Sequence, residues 1–301
     1  MKSIVIFGGS GFVGKNLVRI LAKNGFKIIV PYQTPTNEPK LRLLGALGQV
    51  IPIYFSSLKD RRIKLVLQEC SICINLKTTW DKKKGSFNKN IFEFNSDLIT
   101  ILKKNNALEK YIFFSGLGID KNDKSLRIQA IVKTENYLKE TLANVIIIRP
   151  GVIIGDEDHF IKKLLQIFKL FYLIPLFGDG KSKFQPVFVD DVSIIIKRIV
   201  LDRLFGSHIF ELAGPNVLTY AELYREIARF IGKKKVFVPF PLLVSKVIIG
   251  IAEKTPFSPI NLEQLSLFTK DNIKTGIDKD FSFYNISPQD TLGIIKKICR
   301  K

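Results

Sequence analysis

Ile4-Val-Ile-Phe-Gly-Gly-Ser-Gly-Phe-Val-Gly14 decides how this chain is read. An apolar β run enters a tight glycine turn and leaves into an amphipathic helix that starts near residue 13. Gly8, Gly11 and Gly14 keep a G-x-x-G-x-x-G spacing in which each glycine has a separate task. Gly8 permits the sharp turn, Gly11 lets a backbone approach a pyrophosphate, and Gly14 lets helix and strand pack closely. The helix N-terminus then presents N–H groups and a positive dipole end to phosphates. A glycine pattern becomes informative when it follows a strand and opens a helix, and this one does both.

Working outward, strands are expected at 3–8, 26–31, 49–55, 71–76, 109–115 and 144–154. Helices are expected at 13–24, about 59–69, 91–105 and 127–141. Short apolar strands alternating with amphipathic helices predict an α/β fold, a Rossmann-like doubly wound parallel sheet. After Gly155 the rhythm changes: an apolar helix over 160–174, a Gly/Lys turn at 177–183, and the run Pro186-Val-Phe-Val-Asp-Asp-Val192 opening a helix to about 203. A strand at 208–213 follows, and Thr219-x-x-Glu222 is a capping box opening a helix to about Ile231. We therefore expect a nucleotide-binding domain over 1–155, completed by about 185–214. A smaller discontinuous lobe over 156–184 and 215–301 would close on the carboxyl ends of the strands. Val236–Ala252 is very apolar but broken by Pro239, Pro241, Ser245 and Lys246. It reads as core or as a face for a membrane or partner, and is too short and interrupted to span a bilayer comfortably.

The 301 residues carry 47 Lys+Arg against 27 Asp+Glu, a net charge of +20, with 46% hydrophobic content. Such a chain can build a substantial core, and its surface favours anionic partners. The cations are scattered, with short clusters at Lys82–Lys84 and Lys233–Lys235. No nucleic-acid-binding motif accompanies them, so the excess reads as composition or as a surface for an anionic membrane or acidic partner, with no nucleic acid expected. Cys70, Cys73 and Cys299 do not make a disulfide framework, and Cys70-x-x-Cys73 is read as core at a strand entrance. With His159 and His208 as the histidines, no cluster has metal spacing and none is expected to bind one. The first strand begins at Ser3, leaving no room for a signal peptide, so a cytoplasmic location is expected.

By these residues the chain resembles the extended and atypical short-chain dehydrogenase/reductase superfamily. It is more closely similar to the nucleotide-binding accessory subunits of respiratory complex I and their bacterial relatives. The anchors run nearly end to end: the glycine turn, Leu41-Arg-Leu-Leu-Gly-Ala-Leu-Gly-Gln49, Ile74-Asn-Leu76, Arg149-Pro150 and Gly155-Asp-Glu-Asp-His-Phe160. Ile174-Pro175, Gln185–Val192, Gly214-Pro215 and Pro239-Phe-Pro241 continue the match. The resemblance implies a bound nicotinamide cofactor, typically NADPH, a membrane-proximal place near a quinone site, and a role in assembly or in ubiquinone metabolism. For cofactor contacts it points to Gly8, Gly9, Ser10, Gly11, Phe12, Val13, Gly14, Gln33, Arg42, Asn75, Leu76, Lys133 and Pro150.

Catalysis in that superfamily uses Tyr-x-x-x-Lys on a helix, where four residues put both side chains on one face. The lysine holds the ribose and lowers the tyrosine pKa, and the tyrosine moves a proton. Here the expected pair is Gln129 and Lys133. A Gln amide hydrogen-bonds but exchanges no proton near neutrality. Tyr137 lies one further turn along. Ser115 is the candidate for the serine partner, read equally as a strand-end hydroxyl satisfying the backbone, since Leu117 stands where many active relatives carry the working hydroxyl. The segment Pro31-Tyr-Gln-Thr34 holds no acid for a ribose 2′-hydroxyl and no Arg for a 2′-phosphate. Gln33 stands in the Arg position, with Lys40 and Arg42 close in sequence, and Ser56 replaces the adenine-side Asp. The missing acid favours NADP(H) slightly over NAD(H). Arg149, Asp156, Asp158, Asp190 and Asp191 are read as structural: Asp190 or Asp191 capping a helix, Arg149 pairing a carboxylate.

The expectation is thus a dinucleotide-binding protein of weak or absent redox activity, accessory to NADH:quinone oxidoreductase or quinone metabolism and peripheral at the inner face of the membrane. Two alternatives stand beside it: an active NAD(P)-dependent reductase, epimerase or dehydratase on a small or sugar-nucleotide substrate, and a nucleotide-sensing regulatory binder.

Overall fold

The computed structural model describes residues 2–79, 86–252, 262–265 and 268–301. The Lys82–Lys84 cluster lies outside the described residues. The first half alternates as the sequence pattern demands: β1 (Ser3–Phe7), α1 (Phe12–Lys23), β2 (Lys27–Tyr32), α2 (Glu38–Arg42), β3 (Val50–Tyr54), α3 (Arg61–Glu69), β4 (Ile72–Asn75), α4 (Phe94–Leu102), β5 (Lys110–Phe114), α5 (Leu126–Thr141) and β6 (Val145–Pro150). Then come β7 (Ile153–Ile154), α6 (Phe160–Leu170), β8 (Leu173–Phe177), β9 (Lys183–Phe184), β10 (Val187–Phe188), α7 (Val189–Leu201), β11 (His208–Leu212), β12 (Leu218–Thr219) and α8 (Tyr220–Phe230). The chain finishes with β13 (Val236–Phe240), α9 (Leu242–Ala252), α10 (Leu262–Leu265) and α11 (Thr291–Arg300).

Seven strands form one parallel sheet in the order β11-β6-β5-β4-β1-β2-β3. The order reverses between β1 and β4, and this switch point opens a crevice at the carboxyl ends of the strands. α1 and α7 pack on one face, over Ile4, Ile6, Leu17, Leu21, Ile28, Ile195 and Ile199; α3, α4 and α5 cover the other, over Val5, Phe7, Ile63, Leu98, Ile131 and Ile147. A third apolar cluster joins α6, α8 and α11 through Phe168, Tyr224, Ile227 and Ile295. Cys70 and Cys73 are buried free thiols, with the Cys70 thiol pushed up to about 12 by burial. Both serve as small core residues.

Local chemistry sets the element ends. Asp60 caps α3 by accepting the Arg62 N–H at 2.9 Å, and Thr219 with Glu222 forms the expected capping box on α8. Three expectations change. The single strand over 144–154 breaks at Pro150-Gly151, because the Gly151 backbone closes on Gln185, where a Cβ would meet the carbonyl at 2.1 Å. The 160–174 helix stops at Leu170, and Leu173–Phe177 turns into a strand whose Pro175 has no N–H for a helix to use. Its parallel partner is β13, and after Pro241 the chain winds into α9. The 91–105 helix is entered through a wide π turn over Asn88–Glu93.

Candidate functional site

The crevice starts at the glycine turn. Gly8 has φ +79°, and a Cβ there would press Leu76 at 3.1 Å. A Cβ on Gly9 would meet Val30 Cγ1 at 2.6 Å, and one on Gly14 would sit 2.2 Å from the Gly8 carbonyl oxygen. The turn therefore holds the start of α1 directly against β1. Gly11 is the N-cap residue and brings no side-chain cap to the first N–H groups of α1. An uncapped helix end in a glycine cradle fits a pyrophosphate: small residues admit it closely, and the N–H groups supply its donors.

From this end a cavity of about 430 Å³ runs between the sheet and the smaller lobe. Phe12, Val13, Leu76, Ser115 and Pro150 border it, and so do Ile128, His159, Lys163 and Phe268. Asn75, just beneath, is fully buried and engaged: its Nδ2 donates to Asn95 Oδ1 at 3.0 Å, and its Oδ1 accepts from the Lys77 N–H at 2.9 Å. Asn75 sets the strand end, while its neighbour Leu76 borders the cavity.

At the far end of β2 the structure adds an acid from beyond the Pro31–Thr34 segment. Glu38, on α2, accepts from the Tyr32 hydroxyl and from Arg42 Nη2 at 2.7 Å. The Tyr32 hydrogen bond, helped by Arg42, holds the Glu38 carboxyl below its ordinary range. Gln33 and Ser56 are exposed here. Glu38 lies six positions beyond Tyr32, so only the turn before α2 reveals the carboxylate at the sheet edge.

The catalytic face is turned from its expected place. Gln129 is exposed, and its Nε2 donates to the Asp123 carbonyl at 2.9 Å. Lys133 is exposed with its Nζ 3.9 Å from the centre of the Phe92 ring, and the Tyr137 ring packs on Phe92 at 5.6 Å. Of α5 and its cap, Ser125, Arg127 and Ile128 border the cavity instead. Ser125 stands four residues before Gln129, and of the two only Ser125 borders the cavity. Ser125 Oγ accepts the Ile128 N–H as the cap of α5 and donates to Glu263 Oε2 at 2.7 Å. Arg127 donates from Nε to the Thr79 carbonyl at 3.0 Å, and burial pushes its guanidinium down to about 10.

Ser115 is buried, and its Oγ donates to Glu135 Oε1 at 2.5 Å. Glu135 is held in turn by Arg149, Nη2 to Oε2 at 2.6 Å and Nε to Oε1 at 3.1 Å, and Arg149 reaches Asp278 at 3.3 Å. Burial alone would lower the Arg149 guanidinium, but the two carboxylates raise it. These groups tie α5, β6 and the 278 segment together, as expected for Arg149. Asp158 is buried and accepts the Ile161 N–H at 2.7 Å at the start of α6, its carboxyl raised by burial. Neither Asp190 nor Asp191 caps α7: Asp190 accepts from Asn16 Nδ2 and Asp191 from the Gln289 amide groups, so both tie α7 to other elements. Among the described residues no cluster of His, Cys, Asp and Glu could hold a metal ion, and no helix is long and apolar enough to cross a membrane.

Residues 4–119 match the model of the NAD dependent epimerase/dehydratase family. Among curated proteins, the chain is similar to the NADH dehydrogenase (ubiquinone) 1 alpha subcomplex subunit 9 of Arabidopsis thaliana mitochondria, 30% identical over 96% of this chain and 75% of that one. The NADH-ubiquinone oxidoreductase 40 kDa subunit of Neurospora crassa is 25% identical over 95% of this chain and 75% of that one. Among solved structures, the dTDP-glucose 4,6-dehydratase of Bacillus anthracis in complex with NAD superposes with a TM-score of 0.73 at 15% identity, covering 100% of this chain and 96% of that one. A human epimerase family protein with NADPH gives a TM-score of 0.68 at 14% identity, covering 99% of each. These structural likenesses concern the fold.

Proposed function

We propose that this chain, which belongs to the family of the mitochondrial NADH dehydrogenase (ubiquinone) 1 alpha subcomplex subunit 9, holds a nicotinamide dinucleotide without turning it over. It acts as an accessory protein of an NADH:quinone oxidoreductase or of quinone metabolism. One observation carries the reading: among the described residues bordering the crevice there is no tyrosine. The hydroxyl in its place is Ser125, a helix cap whose ordinary alcohol proton cannot be moved near neutral pH as a lowered phenol proton can.

The glycine turn from Gly8 to Gly14 would cradle the pyrophosphate, with Leu76 and Pro150 flanking the nucleotide. When bound, the dinucleotide supplies hydride chemistry; here its value is as a ligand that stabilises the native state by mass action. NADP(H) is favoured over NAD(H) because Arg42, on α2, pairs with the Glu38 carboxylate that accepts from Tyr32 at the end of β2. A sugar-nucleotide substrate is disfavoured by the apolar side chains that line the inner crevice, Leu117, Ile128, Val152, Leu164, Ile167 and Phe268.

Contact with a membrane or membrane-bound partner is supported by exposed apolar side chains on two segments. Leu170, Phe171, Tyr172 and Leu173 lie open, as do Leu243, Val247 and Ile251 of α9. Lys169, Lys233, Lys234, Lys235 and Lys246 occur on or beside the same elements. This pattern suits peripheral contact at an anionic inner membrane face.

Single-turnover absorbance of stoichiometric NADPH against aldehyde, ketone and quinone acceptors tests the reading. The wild type should leave the nucleotide reduced, and a Ser125→Tyr/Gln129→Lys variant should gain oxidation. Wild-type oxidation that survives removal of contaminating enzymes would reject it.

A further inference from the structure

A second cavity, of about 700 Å³, lies along the outer side of α1 and is closed by the 156–157 turn, the start of α7 and the end of α11. Lys15, Arg19 and Lys23 border it from α1, at i, i+4 and i+8, and so form one stripe on the helix. Lys297, Arg300 and Lys301 face them from α11 and the residue that follows it. Two of the six cations are paired: Lys15 with Glu157, and Lys301 with Asp156 at 2.7 Å. Arg19, Lys23, Lys297 and Arg300 border the same groove outside these pairs. The remaining acidic side chain, Asp190, already accepts from Asn16.

Cations in the last turn of a helix complement its negative end, which accounts for Lys23, Lys297 and Arg300 taken one at a time. It does not account for Arg19, nor for two basic elements brought face to face across one groove. Like charges so arranged repel, and the folded state bears that cost unless an anion lies between them.

We propose that this groove is a binding site for a phosphate-rich anion, separate from the dinucleotide crevice. Arg19, Lys297 and Arg300 hold the phosphates. The same chemistry occurs in free oligophosphates and in the head group of a phosphomonoester lipid.

The test is calorimetry on the full chain at fixed ionic strength, with saturating NADPH present to keep the crevice occupied. The probes are tripolyphosphate and phosphatidylcholine vesicles carrying phosphatidic acid. The variants are Arg19→Gln/Lys297→Gln/Arg300→Gln and a charge-matched control, Lys64→Gln/Lys103→Gln/Lys104→Gln, whose exposed side chains lie on α3 and at the end of α4, over the opposite face of the sheet. Wild-type protein should bind at least one probe saturably. The groove variant should weaken that binding roughly a hundredfold, with the control variant within about threefold of wild type. Loss of tripolyphosphate binding assigns the site to a soluble phosphate, and loss confined to the vesicles assigns it to a lipid head group. Equal weakening by both variants, or no saturable binding of either probe, overturns the proposal. Thermal denaturation keeps the comparison independent of folding defects: relieved repulsion should leave the groove variant at least as stable as wild type without ligand.

Discussion

At the phosphate end of the crevice, Gly8, Gly9 and Gly14 leave no space for a Cβ, and the start of α1 carries no side-chain cap. At the far end the polar groups are directed at one another: Ser115 to Glu135, Glu135 to Arg149, and Ser125 to the backbone of α5 and to Glu263. One end is open to a ligand and held open by packing. The other is closed by internal hydrogen bonds. Within one fold, nucleotide binding and proton transfer thus rest on different residues, and the second can be lost while the first keeps its geometry.

The largest separation of the two ends comes from Arg149→Met. It leaves the buried Glu135 carboxylate without its cation and should cost about 3 kcal/mol or more of unfolding free energy in a denaturant titration. Nucleotide affinity at a temperature where the variant is folded should hold, because the network lies away from the glycine turn. Gly14→Ala acts in reverse. The added methyl meets the Gly8 carbonyl oxygen at 2.2 Å, so the helix must move off the turn, at about 1–3 kcal/mol. NADPH binding measured by calorimetry should vanish.

How far the sequence revealed each end follows the same division. The glycine turn was legible because its constraints are local: a positive φ and a close approach within seven residues. The seven-strand sheet was legible because its apolar runs repeat in register with amphipathic helices. Which face of α5 borders the cavity was not legible, because two faces of a helix look alike when each carries residues four apart. Only the packing of α5, which puts Arg127 inside and Lys133 on Phe92, chooses between them. Glu38 was missed because it is brought to β2 by the turn into α2, and β8 because Leu173–Phe177 continues an apolar stretch that reads equally well as helix.

Three smaller effects sharpen the contrast. Glu38→Gln frees Arg42 from its carboxylate partner. NADPH should then bind roughly threefold to tenfold tighter while NADH changes little; an equal gain for both would remove Arg42 from the 2′ end. Asp123, which accepts from Lys270 Nζ, fastens the loop before α5 to the 270 segment. Burial pushes its carboxyl up, but the hydrogen bonds from Lys270 and the Ser125 N–H outweigh this and hold it below its ordinary value of 3.8. Its contribution is therefore present in full above that value and is lost as pH falls through the lowered folded-state pKa. Asp123→Asn should flatten that part of the stability profile by about 1 kcal/mol or less, as read from urea midpoints between pH 5 and pH 2. Lys133→Ala should be the quietest change. With its ammonium on the Phe92 ring, its removal should leave NADPH affinity within about twofold of wild type, whereas a ribose-holding lysine would cost tenfold or more.

The most direct measurement is a calorimetric titration of the nucleotide-stripped protein and its Gly14→Ala variant with NADPH and NADH, at fixed ionic strength because a chain of net charge +20 attracts any anion. The account predicts saturable binding of one nucleotide per chain by the wild type, NADPH the tighter, and no binding by the variant. Absent binding in the wild type, or equal binding by both proteins, would contradict it.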